Sequence, residues 1–312
     1  MLADHTTVVV SGTKLADEIG ISRSAVWRSV EHLRELGVAI AGHPRTGYQL
    51  REVPDLLLAE FLDPALRGTI FRGKVRHYFR AGSTNVLAMQ AGAAGESEGT
   101  VFVAEEQTAG RGRGGHSWES AKSAGIYCSA LLRPQLSPAD ALPLSLAAGM
   151  ATAAAVASAT GLQPDLRWPN DLLLGGRKFC GILTEMNAEA TRVRYAVVGI
   201  GINVNQERFG GELAAIATSI RQESGRAWSR LELCGALLKS LDREYRALLE
   251  NGPQDVIARF EQRSSYAKGK RVRVEEGSGF EGVTDGLDPR GFLRVQTADG
   301  PRIVLSGGVR EI

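Results

Sequence analysis

The sequence predicts an α+β fold in three successive parts, and three observations predict it. The first fifty residues hold two short helical patterns followed by two short strand patterns. The middle of the chain mixes strands with long helical stretches, and the last fifty residues are short alternating strands punctuated by glycine. The boundaries fall at 1–53, a linker at 54–72, then 73–264 and 265–312. A length of 312 residues suits two or three domains. With 43% hydrophobic residues and a net charge of +2, the composition excludes both a chain coated in nucleic acid and a solvated disordered one. Cys128, Cys180 and Cys234 form no close pair, which points to a reducing cytoplasm. No run of about 18 apolar residues and no charged-then-apolar leader is found, so no membrane partner is expected.

Gly12 to Ile19 reads as a short helix, Gly20 breaks it, and Ser22 caps a second. There Val26, Val30, Leu33 and Leu36 share one face. Arg23, Ser24, Arg28 and His32 point elsewhere, as a helix lying in a DNA groove requires. Ser22, Arg23, Ser24, Trp27 and Arg28 are therefore the candidate DNA contacts. Gly37 ends the helix. Val38 to Ile40, a turn at His43–Gly47, and Tyr48 to Leu50 then make a two-stranded wing. The segment resembles a winged helix-turn-helix domain in shortened form, with β-branched Thr6 to Val10 where another helix would stand. Lys and Arg equal Asp and Glu in number across 1–52, without the basic excess of a strong DNA binder. Two readings stay open: sequence-specific DNA binding, or a vestigial or protein-contacting module.

Pro54 and Leu56-Leu57-Leu58 lead into the central region, where Val75 to Phe79 reads as a strand. Gly82-Ser83-Thr84-Asn85 then precedes a helix from Val86 to Ala91. Ser or Thr at that place is an N-cap, and it is also where small polar ligands are caught by N–H groups and hydroxyls. A strand at Thr100 to Glu105 runs by way of Gln107 into Gly110-Arg111-Gly112-Arg113-Gly114-Gly115, then His116-Ser117-Trp118. Four glycines in six residues make a loop whose peptide N–H groups can approach an anion, and two permanently charged guanidinium forks are interleaved with them. It fits neither the Walker pattern nor a dinucleotide fingerprint.

Gly125 to Leu132 is a strand of buried type, and Ser137-Pro138-Ala139-Asp140 starts a long helix through Thr160 that serves as scaffold. A strand enters the turn Trp168-Pro169-Asn170-Asp171, and Leu172 to Leu174 leaves it. Gly175-Gly176 reverses the chain into Arg177 to Glu185. Lys178 stands at the entry of that apolar strand, an unusual place for an ammonium and a rigid one for a phosphate partner. Arg192 to Val198 returns, and Gly199-Ile200-Gly201-Ile202-Asn203 continues with glycines spaced for close backbone approach.

Gly110–Trp118 (GRGRGGHSW), Arg167–Leu172 (RWPNDL), Lys178–Glu185 (KFCGILTE) and Gly199–Asn203 (GIGIN) stand in the order found in biotin protein ligases. With the N-terminal segment, the chain resembles the bifunctional ligase/biotin operon repressor branch over nearly its whole length. The resemblance implies a class II synthetase-like α+β catalytic domain with a mixed sheet, closed by an SH3-like β-barrel at the C-terminus. It implies that biotin's carboxylate attacks the α-phosphate of ATP, and that a lysine of biotin carboxyl carrier protein then takes the biotinyl group from biotinyl-5′-AMP. Mg²⁺ would arrive with ATP; operator DNA and a second copy of the chain are further implied partners. It implies Lys178, Arg113 and Asp171 as catalytic residues. Ser83, Thr84, Asn85, Gln107, Arg111, Gly112, Arg113 and Lys178 would hold biotin. Gly110, Arg111, Gly114, Gly115, Trp118, Asn170, Asp171 and Asn203 would hold the nucleotide, with Trp118 packing on adenine as the loop orders. Asn170 and Asp171 would hold phosphates or Mg²⁺, and Asp171 could also help deprotonate the acceptor lysine.

Two departures stand out. Arg167 occupies a place where Lys is common. Ser306-Gly307-Gly308-Val309 lacks a usual glutamate, which leaves the barrel's contact with the catalytic domain open. The alternatives are a lipoate or octanoyl ligase or transferase, for which Cys180 near Lys178 would supply a thioester nucleophile, and a DNA-binding biotin sensor with little ligase activity. Cys180 reads instead as buried filler.

Overall fold

The computed structural model describes residues 8–35, 38–51 and 55–312. It forms two compact units, Met1–Asp55 and Leu56–Ile312.

In the first unit, α1 (Gly12–Ile19) is capped by Ser11, whose hydroxyl accepts from the Lys14 N–H, and ends on Gly20. α2 (Arg23–Glu35) starts where Ser22 Oγ accepts the Ala25 N–H at 3.2 Å, and it buries Val26 and Val30. β1 (Ile40–His43) and β2 (Gly47–Leu50) pair antiparallel as the wing. Arg23, Ser24, Trp27 and Arg28 are exposed, with Trp27 at 55%. Leu36, Gly37 and Pro54 lie outside the described residues, as does part of the Thr6–Val10 stretch.

The second unit is built on a seven-stranded mixed sheet. Its strands are β3 (Val75–Tyr78), β4 (Val101–Ala104), β5 (Gly125–Leu132), β6 (Asp165–Arg167), β7 (Asp171–Leu174), β8 (Arg177–Ala188) and β9 (Val193–Asn203). Their order is β3-β4-β5-β9-β8-β7-β6, parallel between β3 and β4 and antiparallel elsewhere. On one face pack α5 (Leu142–Thr160), α8 (Arg230–Asn251) and α9 (Pro253–Arg263); on the other lies α4 (Thr84–Ala93). The helix expected from Ser137 begins with a short 3-10 turn, Pro138–Asp140, before α5. Contrary to the expected lack of such a run, Pro138–Thr160 is apolar enough to cross a membrane by length and composition; 72% of its most apolar window is buried inside the protein, as befits a core helix. α6 (Leu213–Ile216) and α7 (Ile220–Ser224) are short.

The expected linker at 54–72 differs in the structure. From Leu56 onward it is core: Leu57, Leu62, Leu66 and Phe71 are fully buried, and α3 (Ala59–Leu62) forms within it. Apolar burial of four large side chains outweighs the chain's freedom to act as a spacer. The Leu57 N–H donates to Glu105 and the Ile70 N–H to Asp242. Glu105 is itself buried and is held by Arg230 at 2.6 Å and His77 at 3.1 Å, which ties β3, β4 and α8 together.

The C-terminal part is a five-stranded antiparallel sheet in the order β13-β12-β11-β10-β14. Its strands are β10 (Lys268–Val274), β11 (Phe280–Leu287), β12 (Leu293–Thr297), β13 (Gly300–Val304) and β14 (Val309–Glu311), closed around Val272, Val274, Leu293, Val295 and Val304.

Candidate active site

Strand alternation builds the floor of a cleft. Side chains two apart share a face, and the register sets Tyr127, Gly201 and Gly181 in one row and Ser129, Gly199 and Leu183 in the next. The opposite-face residues Cys128, Ile182, Ile200 and Ile202 go to the core. Glycine in both rows leaves room above β8 and β9. A Cβ on Gly199 would lie 2.0 Å from Asn85 Oδ1, and one on Gly201 would lie 2.6 Å from the Trp118 indole. The cleft encloses about 450 Å³ of empty space, counting its open mouth.

At one end the start of α4 meets Gln107. Ser83 holds the N-cap position but its hydroxyl makes no cap bond. Gln107 Oε1 takes the capping place instead, accepting from Thr84 N at 2.8 Å and Thr84 Oγ1 at 3.1 Å. Gln107 Nε2 donates to Ser120 Oγ. Asn85 Nδ2 donates to Leu183 O and Glu185 Oε2, and Ser129 Oγ donates to Asn85 Oδ1 at 2.6 Å. This end offers only neutral hydrogen-bonding groups to a ligand.

The other end is cationic. Lys178 Nζ lies 2.5 Å from Asp171 Oδ1 and over the Trp118 ring at 5.5 Å from its centroid. Arg167 Nη2 holds the second Asp171 oxygen at 2.7 Å. Trp168 anchors the turn by donating from Nε1 to Gly291 O in the C-terminal part. The glycine loop is a small hairpin: the Gly112 N–H donates to His116 O, the Trp118 N–H donates to Gly110 O, and Arg111 pairs with Ser117. Its tip turns through Gly114 at φ 66°, a left-handed conformation that suits glycine. Arg113 Nη1 donates to Gly307 O at 2.9 Å, so the barrel does touch the loop despite its missing glutamate. Burial lowers the Arg113 pKa, and nearby Asp171 acts in the opposite direction.

Ser83, Thr84, Asn85, Gln107, Arg111, Gly112, Arg113, Trp118, Asn170 and Lys178 all line the cleft. Gly110 stands behind the hairpin, Gly114 and Gly115 form its exposed tip, and Asp171 sits behind Lys178. Asn203 does not reach the cleft: its amide donates to Thr218 O and its oxygen accepts from Gln206, which makes it a strut. Asn170 spends its side-chain N–H on Ile182 O. Asp171 thus has a cation against each carboxylate oxygen, Lys178 at Oδ1 and Arg167 at Oδ2. Trp118 already lies on Gly181 and Gly201. Cys180 is two residues from Lys178, a spacing that would share a face on a regular strand, but a register shift between Leu172 and Leu173 puts the two on different sides. Cys180 is in the core, where burial raises its pKa, and the Cys128 thiol is likewise pushed up to about 12. Neither can act as a thiolate near neutral pH.

Ser129, Tyr127 and Glu185 escaped the sequence reading. A lone serine in the otherwise apolar Gly125–Leu132 strand, two residues from Tyr127, was the available signal.

Residues 82–203 match the Biotin/lipoate A/B protein ligase family, residues 1–49 an HTH domain, and residues 269–309 a Biotin protein ligase C terminal domain. The bifunctional ligase/repressor BirA of Bacillus spizizenii is 36% identical over 306 residues, spanning 96% of this chain and 93% of that protein. The biotin--[acetyl-CoA-carboxylase] ligase of Mycobacterium tuberculosis is 34% identical over 236 residues, 73% of this chain and 85% of that one. The solved biotin protein ligase from Aquifex aeolicus in complex with biotin and ATP matches with a TM-score of 0.67 and 29% identity, over 77% of this chain and 100% of its own.

Proposed function

Because the chain belongs to the biotin protein ligase family, in its bifunctional ligase/repressor group, we propose that this cleft joins biotin to ATP and then to an acceptor lysine. The observation that carries the reading is the polarity of the cleft. A neutral hydrogen-bonding end at Thr84 and Gln107 and a cationic end at Lys178 and Arg113 are joined by a glycine floor. Biotin has the complementary shape, with a ureido ring at one end and a carboxylate at the other.

In the first step a biotin carboxylate oxygen bonds to the α-phosphorus of ATP and pyrophosphate leaves, giving biotinyl-5′-AMP. In the second, the amine of a lysine on biotin carboxyl carrier protein attacks the acyl carbon, AMP leaves, and the amine loses a proton. Both nucleophiles belong to substrates, so the protein's work is positioning and charge stabilisation. Lys178 neutralises charge developing on the acyl and phosphate oxygens, held in place by Asp171. Arg111 and Arg113 cover the phosphate from the hairpin, and Gly112 lets its backbone come close. Asn170 borders the nucleotide end, and Trp118, which lines the cleft, is proposed to pack on adenine as the loop orders.

Mg²⁺ would travel with the ATP phosphates. The residues present do not form a cradle for it: Asp171 is engaged by two cations, and Asn170 has one side-chain oxygen to offer. Among the described residues no group of three or more His, Cys, Asp or Glu could hold a metal ion.

The N-terminal unit is a helix-turn-helix of repressor type, and Ser22, Arg23, Ser24, Trp27 and Arg28 are its proposed operator contacts. Paired half-sites would require a second copy of the chain.

The deciding measurement is biotin-dependent exchange of labelled pyrophosphate into ATP by the purified protein with Mg²⁺. Exchange with lipoate or octanoate alone would overturn the assignment. A mobility shift on the upstream region of a biotin-synthesis operon, with and without biotin and ATP, tests the DNA reading; no shift in either state would leave ligation alone.

A further inference from the structure

We propose that Glu185 is a positioning residue for the biotin end of the cleft, setting the direction of a buried hydrogen-bond relay through Asn85 and Ser129 to Thr84. The inference rests on the biotin reading above. Glu185 lies on β8, and its carboxylate accepts from Asn85 Nδ2.

Proton counting carries the argument. Asn85 Nδ2 faces Glu185 Oε2 at 2.9 Å and Leu183 O at 3.2 Å. Both partners are acceptors only, so the amide nitrogen must stand there and Oδ1 must face Ser129. Ser129 Oγ is 2.6 Å from Asn85 Oδ1 and spends its one proton on it. Ser129 then has no proton left for Thr84 Oγ1 at 2.8 Å, so the Thr84 hydroxyl turns its own proton inward to Ser129, with Gln107 Oε1 at 3.1 Å as a second inward acceptor. Either way the proton points into the protein, and the Thr84 oxygen meets the cleft as an acceptor. That is what a ring N–H of a ureido group needs. Gly199 supports the arrangement, since the Asn85 amide fills the space a side chain there would take.

Without the carboxylate, only Leu183 O resists a flip of the Asn85 amide. The flipped amide would turn Ser129 into an acceptor, and its proton would move towards Thr84. The Thr84 proton would fall to Gln107, and its oxygen would be shared between Ser129 and the ligand instead of being free to accept from the ligand. A hydrogen bond to a charged group is worth about 1.5–3 kcal/mol, so the effect should be at least about tenfold.

The test is pyrophosphate exchange by full-length protein at varied biotin and varied ATP. Glu185→Leu is expected to raise KM for biotin at least about tenfold, with KM for ATP within about twofold of wild type. Glu185→Gln keeps an acceptor oxygen and is expected to return KM for biotin to within about threefold. A purely structural role would lower the melting temperature and kcat while leaving KM for biotin in place, and that result overturns the inference. If Glu185→Leu does not fold, Ser129→Ala interrupts the same relay; an unchanged KM for biotin there overturns it too. Wild-type protein without biotin-dependent exchange would refute the biotin reading itself, whereas wild-type exchange with an unchanged variant KM refutes only the relay.

Discussion

Lys178 and Asp171 form one unit: the ammonium is 2.5 Å from Asp171 Oδ1, while Arg167 holds the other oxygen from behind. Lys178 leaves β8 beside the bulge and would swing through several rotamers if unpaired. The carboxylate fixes it over Trp118 at the cationic end of the cleft. Removing a preorganised cation from a developing negative charge costs about 10²–10³ in rate. Lys178→Met should therefore lower kcat for pyrophosphate exchange by about that factor, with circular dichroism unchanged. Asp171→Asn should cost less, about tenfold, and adding it to Lys178→Met should cost almost nothing more. Additive losses in the double variant would show that Asp171 acts on something other than Lys178.

Gly201 should tolerate no side chain. A Cβ there meets the Trp118 indole at 2.6 Å, and the ring has Gly181 and Lys178 beside it. Overpacking typically costs about 1–3 kcal/mol. Gly201→Ala should lower kcat/KM for biotin at least about tenfold while the protein stays folded. A wild-type value would mean the indole can leave the floor without consequence.

The parts of the site legible in the sequence were those carried by short local patterns. The Arg111–Arg113 loop, the Trp168–Asp171 turn and Lys178 each declare themselves by unusual residues in a few consecutive positions. What was not legible came from register and from distant pairing. Glu185 and Asn85 are a hundred residues apart, and nothing near either one names the other. Asn203 was expected at the nucleotide only through the resemblance carried by Gly199–Asn203, yet its partners Gln206 and Thr218 arrive from the following loop and consume its amide. Cys180 was legible as buried filler from its apolar neighbours, but the one-residue bulge that separates its face from that of Lys178 was not. Leu57 and Phe71 read as linker because only the folded core shows what they pack against.

Arg113 joins the loop to the barrel through Gly307 O while facing the cleft. Arg113→Gly removes both the charge over the phosphate and the tie to residues 305–308. The reactive adenylate should then escape before an acceptor arrives. Incubation with biotin, ATP and serum albumin, followed by a streptavidin blot, should show labelled albumin with the variant and little with wild type. Labelling confined to the acceptor protein would remove the gating role.

The Glu105–Arg230 pair should dominate the acid stability of this unit. Both side chains are 1% exposed, and the carboxylate also faces His77 and the Leu57 N–H. Burial raises the Glu105 pKa, but His77, Arg230 and the Leu57 N–H lower it by more, so the net shift is downward. A folded-state pKa below the unfolded one stabilises fully above the ordinary glutamate range and loses that contribution as pH falls through the lowered value. Breaking a buried pair by removing one partner costs about 3–5 kcal/mol, because the other charge stays behind. Glu105→Gln should thus lower the melting temperature markedly at neutral pH, with the gap to wild type closing as pH drops below the glutamate range. A gap that stays constant down to about pH 3 would mean the residue contributes shape and not charge. Because Glu105 stands two residues before Gln107, the same variant should also loosen the biotin end and raise KM for biotin before the fold is lost.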